Sequence, residues 1–140
     1  MDKQPKIPED LKKKFEQLKL KLEKFKKLIL KEFSQYILGI ALLPPKQDDK
    51  NSINVLVLVD DFDTKKISKF ELHDKLNKII DKFAKDVDKN LKQEILLLGE
   101  LRENCYDGKY EILQLIAMGA PIYDPKEMLA AIKIAEVHKT

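Results

Sequence analysis

The segment Ile53–Val59 (INVLVLV) constrains the fold most, because it is almost entirely aliphatic and rich in β-branched side chains. Such a run is typical of a strand that is buried on both faces of a sheet. A second apolar run, Tyr36–Leu43, precedes it and ends at Pro44 and Pro45, which lack the amide hydrogen needed for strand pairing. Because the polar stretch 46–52 joins the two runs, we expect them to pair as antiparallel neighbours.

The segment 9–33 predicts a long amphipathic helix. Its apolar residues recur at steps of four or three, which forms one stripe along a helix; these residues are Leu11, Phe15, Leu18, Leu22, Phe25, Ile29 and Phe33. Lysines fill most of the other faces. The stripe can pack on the chain's own sheet, or on a second copy of the helix in a coiled coil.

The second half of the chain predicts further helices and strands. Ser68 and Glu71 have the spacing of a capping box, which starts a helix that continues to about Lys89. The segments expected after it are a strand at 94–98, a short helix or turn at 99–105, a helix ended by Gly119, an extended segment at 120–123 and a helix at 126–138.

The chain of 140 residues is long enough for one domain with a single core. Hydrophobic residues make up 44% of it and charged residues 36%, as in globular domains and unlike disordered chains. Helices combined with three to four strands predict an α/β fold (α+β, two layers), in which a small mixed sheet packs against helices. We expect one domain at 9–140, after a polar lead at 1–8.

Cys105 is the single cysteine, so no internal disulfide can form, which fits a reducing compartment. No apolar run approaches the ~20 residues that span a bilayer, and the charged N-terminus lacks the apolar core of a signal peptide. We therefore expect a cytoplasmic protein without a membrane partner. His73 and His138 have no partner at metal-ligand spacing and are interpreted as surface residues.

The order of elements around Ser52–Asp61 resembles the core of the nucleotidyltransferase superfamily typified by DNA polymerase β. Within it, the chain looks like the minimal, archaeal-type nucleotidyltransferase domains, and Gly119–Asp124 resembles the segment that closes them. The resemblance covers about residues 30–139. It implies a nucleotidyltransferase-like sheet, and it implies that such a domain can be the first part of a longer tandem protein.

In that family, a Gly-Ser pair holds the nucleotide triphosphate, and an Asp-x-Asp motif with a third carboxylate holds two Mg²⁺ ions. The resemblance places the Gly-Ser pair near Leu42–Pro45 and the two aspartates at Ser52 and Asn54. Glu94 is the candidate for the third carboxylate. Because serine and asparagine are neutral, the site is degenerate, and no catalytic residue, bound metal or cofactor is expected.

We therefore expect a non-catalytic module that acts through a protein partner, as a homodimer, or as the regulator of a linked catalytic domain. One alternative is an active, Mg²⁺-dependent nucleotidyltransferase with a displaced acidic site, built from Asp60, Asp61 and Glu94, with Asp63 in the same acidic turn. The other interpretation of these aspartates is a solvated turn that precedes a helix.

The positive charge lies in the N-terminal segment. Residues 1–31 contain eleven lysines and five acidic residues, whereas the whole chain has a net charge of +3. A further alternative is a nucleic-acid-binding adaptor whose helix contacts phosphates through Lys12, Lys13, Lys14, Lys24 and Lys27. The chain has a single arginine, and no aromatic residue lies among these lysines on the polar face of the helix, since Phe15 and Phe25 belong to the apolar stripe. Both observations favour a solvated helix face.

Overall fold

A computed structural model describes residues 9–49, 51–61 and 67–137. The elements of this part are α1 (Glu9–Phe33), β1 (Ile37–Leu42), β2 (Ile53–Val59), α2 (Lys69–Val87), β3 (Leu91–Leu97), α3 (Leu98–Tyr106), α4 (Glu111–Met118), β4 (Ala120–Tyr123) and α5 (Met128–Val137). The predicted α/β (α+β) class is confirmed. The polar lead at 1–8, Asp63 and His138 lie outside the described residues.

The four strands form one mixed sheet in the order β3-β2-β1-β4. β1 and β2 are antiparallel, as predicted, and β2 and β3 are parallel. β2 is an interior strand, and every one of its residues after Ile53 is buried. Since parallel strands end at the same edge, the carboxyl ends of β2 and β3 lie side by side, and so do their amino ends.

Helices cover both faces of the sheet, because alternate side chains of each strand point to opposite faces. On one face, Val55 and Val57 belong to a core with the buried residues of α1 and α2, among them Phe25, Ile29, Leu76 and Ile80. On the other face, Leu56 and Leu58 belong to a core with Leu101 of α3, Ile116 of α4 and Leu129 of α5.

Helix α1 has the predicted bounds, but only its second half is covered. Leu22, Phe25 and Ile29 are buried, whereas Leu11 is 44% exposed and Phe15 is 60% exposed. The same apolar stripe is therefore core at one end and surface at the other. We call Leu11, Phe15 and the half-buried Leu18 the uncovered stripe of α1.

Two element bounds differ from the predicted ones. β3 starts at Leu91 and not at 94, because an edge strand can turn its polar residues Lys92 and Glu94 to solvent while it pairs with β2. α5 starts at Met128 and not at 126, because Glu127 has a φ of 57°, a left-handed conformation that an α-helix does not contain.

An ion pair joins α1 to the turn between α2 and β3. Lys21 Nζ lies 2.6 Å from Asp88 Oδ2, and Asp88 Oδ1 accepts a hydrogen bond of 2.7 Å from the Asn90 amide. The Lys21 hydrogen bond, followed by the Asn90 amide, lowers the pKa of the Asp88 carboxyl below its ordinary value. The pair therefore links the position of α1 to the protonation of one carboxylate.

We expect Asp88→Asn to lower the free energy of unfolding at pH 7 by about 0.5–1 kcal/mol, since Lys21 is partly exposed and solvent screens the pair. A lowered folded-state pKa stabilises the protein above the unfolded-state pKa, and this contribution is lost as the pH falls through the folded-state value. The difference between the two proteins in urea titrations should therefore begin to shrink below about pH 4, the ordinary range of an aspartate pKa, and should vanish only below the lowered folded-state pKa. Asp86→Asn, on the exposed face of α2, is the control and should have no such pH dependence.

Candidate functional site

The amino edge of β2 contains the two positions at which the resemblance places catalytic aspartates. Ser52 and Asn54 are both buried. Asn54 Nδ2 donates a hydrogen bond of 2.9 Å to Ser52 Oγ, and Ser52 Oγ donates one of 2.8 Å to the Asp49 carbonyl oxygen. These side chains thus close the loop between β1 and β2 by bonding to each other and to the loop backbone.

The neighbouring strands complete this edge. The Leu43 amide donates a hydrogen bond of 2.8 Å to the Asn54 carbonyl oxygen, so the end of β1 lies beside Asn54. On the other side, Lys92 of β3 is in register with Asn54, and its Nζ lies 3.2 Å from Asp49 Oδ2. The Lys92 ammonium therefore occupies the Asp49 carboxylate in an ion pair at this edge.

Glu94 lies farther along β3, in register with Leu56, and is exposed. Asp60 follows the end of β2, four positions beyond Leu56, which corresponds to about 13 Å along a strand. Glu94 is therefore not brought together with Asp60 and Asp61. Among the residues that the structure describes, no group of three His, Cys, Asp or Glu side chains is placed to hold a metal ion.

Asp61 lies at the opposite, carboxyl edge of the sheet and contacts the start of α3. Its Oδ1 accepts a hydrogen bond of 3.1 Å from the Gly99 amide, which is one of the unsatisfied donors of a helix N-terminus. A Cβ at position 99 would lie 2.9 Å from Asp61 Oδ2, so glycine permits this approach. Asp61 thus has a role in the fold that its sequence context did not reveal.

Two side-chain contacts connect α2 to α3 at the same edge. His73 Nε2 lies 2.5 Å from Glu100 Oε1, and Lys69 forms an ion pair with Glu103. Glu100 Oε1 also accepts a hydrogen bond of 3.0 Å from the Leu97 amide. His73 is predicted from the sequence to be a surface residue, but its side chain is half-buried against Glu100. The spacing of Lys69 and His73 puts both on one face of α2, and the spacing of the two glutamates puts both on one face of α3.

The lysines of α1 differ in their surroundings. Lys21 and Lys26 are half-buried, and they form ion pairs with Asp88 and Glu23. The nucleic-acid candidates of the sequence are all exposed; they are Lys12, Lys13 and Lys14 near the start of α1 and Lys24 and Lys27 in its second half. Solvent can reach each of them, so the sequence-based hypothesis of phosphate contacts stays open.

The uncovered stripe of α1 borders a groove along edge strand β4. The groove has a volume of about 270 Å³, and its apolar lining includes Phe15, Leu18 and Leu22 of α1 and Pro121 and Ile122 of β4. It is continuous with the core through Leu22, which is buried. The sequence did not indicate this groove, because periodicity shows that a stripe is apolar but not how much of it the fold covers.

Comparisons with known proteins give no match among family models, curated proteins or solved structures. The nucleotidyltransferase frame therefore stays a prediction from the sequence. In the described part of the chain, none of the helices is both long and apolar enough to cross a bilayer.

Proposed function

We propose that this chain is a non-catalytic, nucleotidyltransferase-like module that binds a protein partner through the uncovered stripe of α1. The hydrogen-bonded pair of Ser52 and Asn54 is the observation that carries the non-catalytic part. Two Mg²⁺ ions need several hard oxygen ligands that are free to coordinate. At this edge the two polar side chains are bonded to each other, and the nearby Asp49 carboxylate is paired with the Lys92 ammonium.

A transfer assay tests the non-catalytic part. Incubation with each labelled nucleoside triphosphate, Mg²⁺, and RNA or protein acceptors is expected to leave all the label on the nucleotide. Transfer that disappears in Asp60→Asn or Glu94→Gln would overturn the proposal and support an active site displaced from Ser52 and Asn54. Lys46→Gln is the matched control, because Lys46 is exposed and belongs neither to the Ser52–Asn54 pair nor to the acidic candidates.

The binding surface combines an apolar stripe with a basic rim. On a helical projection, Lys12 and Lys19 flank one side of the uncovered stripe and Lys14 flanks the other. The acidic residue that lines the groove, Glu23, is paired with Lys26. A second copy of α1 would bring these lysines close to one another, which disfavours a homodimer through this face. A helix with an apolar stripe flanked by carboxylates would complement both the shape and the charge.

Synthetic peptides test this partner chemistry. We expect a 20-residue amphipathic helix with a Leu/Phe stripe and flanking glutamates to bind, as measured by fluorescence anisotropy. The same peptide with flanking lysines should bind at least tenfold more weakly. The double change Leu11→Ser and Phe15→Ser should weaken binding of the acidic peptide at least tenfold. Leu20→Ser is the matched control, because Leu20 is 70% exposed on the opposite face of α1.

Three results would contradict the proposed surface. They are equal binding of both peptides, full binding by the double variant, and self-association of the chain that Phe15→Ser abolishes. The last result would identify a second copy as the partner. Sedimentation velocity over a concentration series measures that outcome directly.

Nucleic-acid binding is the second candidate, and the exposure of the five lysines favours it. It predicts salt-sensitive binding of a 20-nucleotide RNA, because each phosphate contact releases counterions. Charge reversal of Lys12, Lys13 and Lys14 to glutamate would then abolish RNA binding. The change of Leu11 and Phe15 to serine would leave it intact, which separates this function from peptide binding.

A further inference from the structure

A cavity of about 170 Å³ opens at the carboxyl edge of the sheet, at the other end of β2 from Ser52 and Asn54. It lies between the last turn of α1, the start of β1, the end of β2 and the first half of α2. Its floor is formed by Ile37, Val59, Leu72 and Leu76, which are buried. The remaining lining residues stand around them, namely Phe33, Tyr36, Asp60, Ile67, Lys75 and Ile79.

The walls of this cavity are held by the fold. The Tyr36 amide donates a hydrogen bond of 2.8 Å to the Phe33 carbonyl oxygen, which fixes the turn from α1 into β1. The Asp60 amide donates one of 2.8 Å to the Tyr36 carbonyl oxygen, which extends the pairing of β1 with β2 by one step. Leu72 and Leu76, four apart on α2, form the facing wall. These contacts fix the position of the lining residues that they join.

Its volume limits the ligand to a small molecule. An engineered apolar cavity of about 150 Å³ in another protein binds benzene, whereas pockets for larger ligands occupy roughly 300–1,000 Å³. A single six-membered ring or a short branched chain fits here, and a nucleotide does not. The apolar lining suits such a group, because its binding removes apolar surface of both the ligand and the cavity from water.

Lys75 supplies the polar part of the site. It lies among the lining residues and is exposed, and no carboxylate among the described residues lies within ion-pair distance of it. Asp60, which also lines the cavity, already interacts with another group. Of the two charged residues that line the cavity, Lys75 is therefore the one that we assign to the ligand.

We infer that this cavity binds a small carboxylate whose aromatic or branched aliphatic body fills the apolar floor and whose anionic group pairs with Lys75 Nζ. The site lies at the opposite end of β2 from the degenerate positions and is separate from the uncovered stripe of α1. It therefore does not depend on the proposed protein partner.

Titration of the full chain with benzoate, toluene and benzylamine, followed by NMR, tests the inference. These probes have the same ring and differ in charge. We expect benzoate to bind with a Kd of about 1 mM or lower, toluene more weakly, and benzylamine most weakly. Bound benzoate should give ring-to-methyl cross-relaxation with Val59, Leu72 and Leu76, which places the ring on the cavity floor.

Two variants separate the apolar contact from the charged one. Lys75→Met keeps the apolar stem and should weaken benzoate about fivefold without changing toluene binding. Lys82→Met, an exposed lysine elsewhere on α2, is the control and should change neither. Ile79→Phe narrows the cavity from its half-buried wall and should abolish binding of both probes.

Four results would overturn the inference. They are no binding of benzoate or toluene, stronger binding of benzylamine than of benzoate, unchanged affinity for benzoate in Lys75→Met, and cross-relaxation to residues outside the cavity. The amide spectrum of each variant shows whether it is folded. If Ile79→Phe does not fold, the comparison of benzoate binding by the wild type and Lys75→Met still tests the inference.

Discussion

Phe25→Ala is expected to lower the free energy of unfolding by about 3–5 kcal/mol, the range for deleting a buried aromatic side chain. Phe15→Ala, ten residues earlier on the same helix and the same apolar stripe, should cost less than about 0.5 kcal/mol. The two side chains differ in their surroundings and not in their chemistry. Phe25 is 1% exposed and packs in the core beneath β2, whereas Phe15 is 60% exposed.

Urea denaturation followed by circular dichroism measures both values under the same conditions. The intrinsic helix propensity changes equally in both variants, so the difference between them reports burial alone. A cost of several kcal/mol for Phe15→Ala would show that this side chain is covered in the isolated protein. Its surface would then be unavailable to the proposed partner helix.

Asp124→Ala should lower the free energy of unfolding by about 1–2 kcal/mol, the usual cost of losing a helix cap. Both carboxylate oxygens of Asp124 act at the start of α5, where Oδ1 accepts from the Leu129 amide at 3.1 Å and Oδ2 from the Ala130 amide at 3.0 Å. Leu129 is buried in the core beneath Leu56 and Leu58. Loss of the cap therefore also loosens the contact between α5 and the sheet.

Asp124→Asn is the graded comparison, because its amide keeps one acceptor oxygen and loses the charge. The free energy of unfolding of Asp124→Asn should lie between those of the wild type and Asp124→Ala. Hydrogen exchange at the Leu129 and Ala130 amides measures the local effect, and exchange in α2 measures the global one. Equal acceleration in both helices for Asp124→Asn would contradict a local cap.

Much of the fold could be predicted from the sequence, because its strongest patterns are local. The bounds of α1 and the position of β2 follow from side-chain periodicity, and the pairing of β1 with β2 follows from the short polar connection. The predicted start of β3 is three residues too late, because the polar residues in its first half make that half look like a loop. The predicted start of α5 is two residues too early, because the left-handed backbone conformation of Glu127 is rare for a residue other than glycine.

Less of the candidate site could be predicted, because it depends on contacts between distant residues. The resemblance points to Ser52 and Asn54 as positions of a predicted site, but the hydrogen bonds between their side chains and to the Asp49 carbonyl oxygen can be seen only in the structure. The contact of Asp61 with Gly99 and that of His73 with Glu100 each join residues far apart in sequence. The cavity at the carboxyl edge of the sheet depends on how α1, β2 and α2 pack together, and local sequence patterns do not determine that packing.

The two edge strands of the sheet also determine how the protein avoids aggregation. β4 is four residues long and contains Pro121, which cannot donate a main-chain hydrogen bond to an incoming strand. β3 presents the charged side chains of Lys92 and Glu94, which an incoming strand would have to accommodate. Both edges of the sheet thus oppose the addition of a strand from another molecule. Copies of this chain at high concentration should therefore not pair through their sheets, although the uncovered stripe of α1 remains exposed.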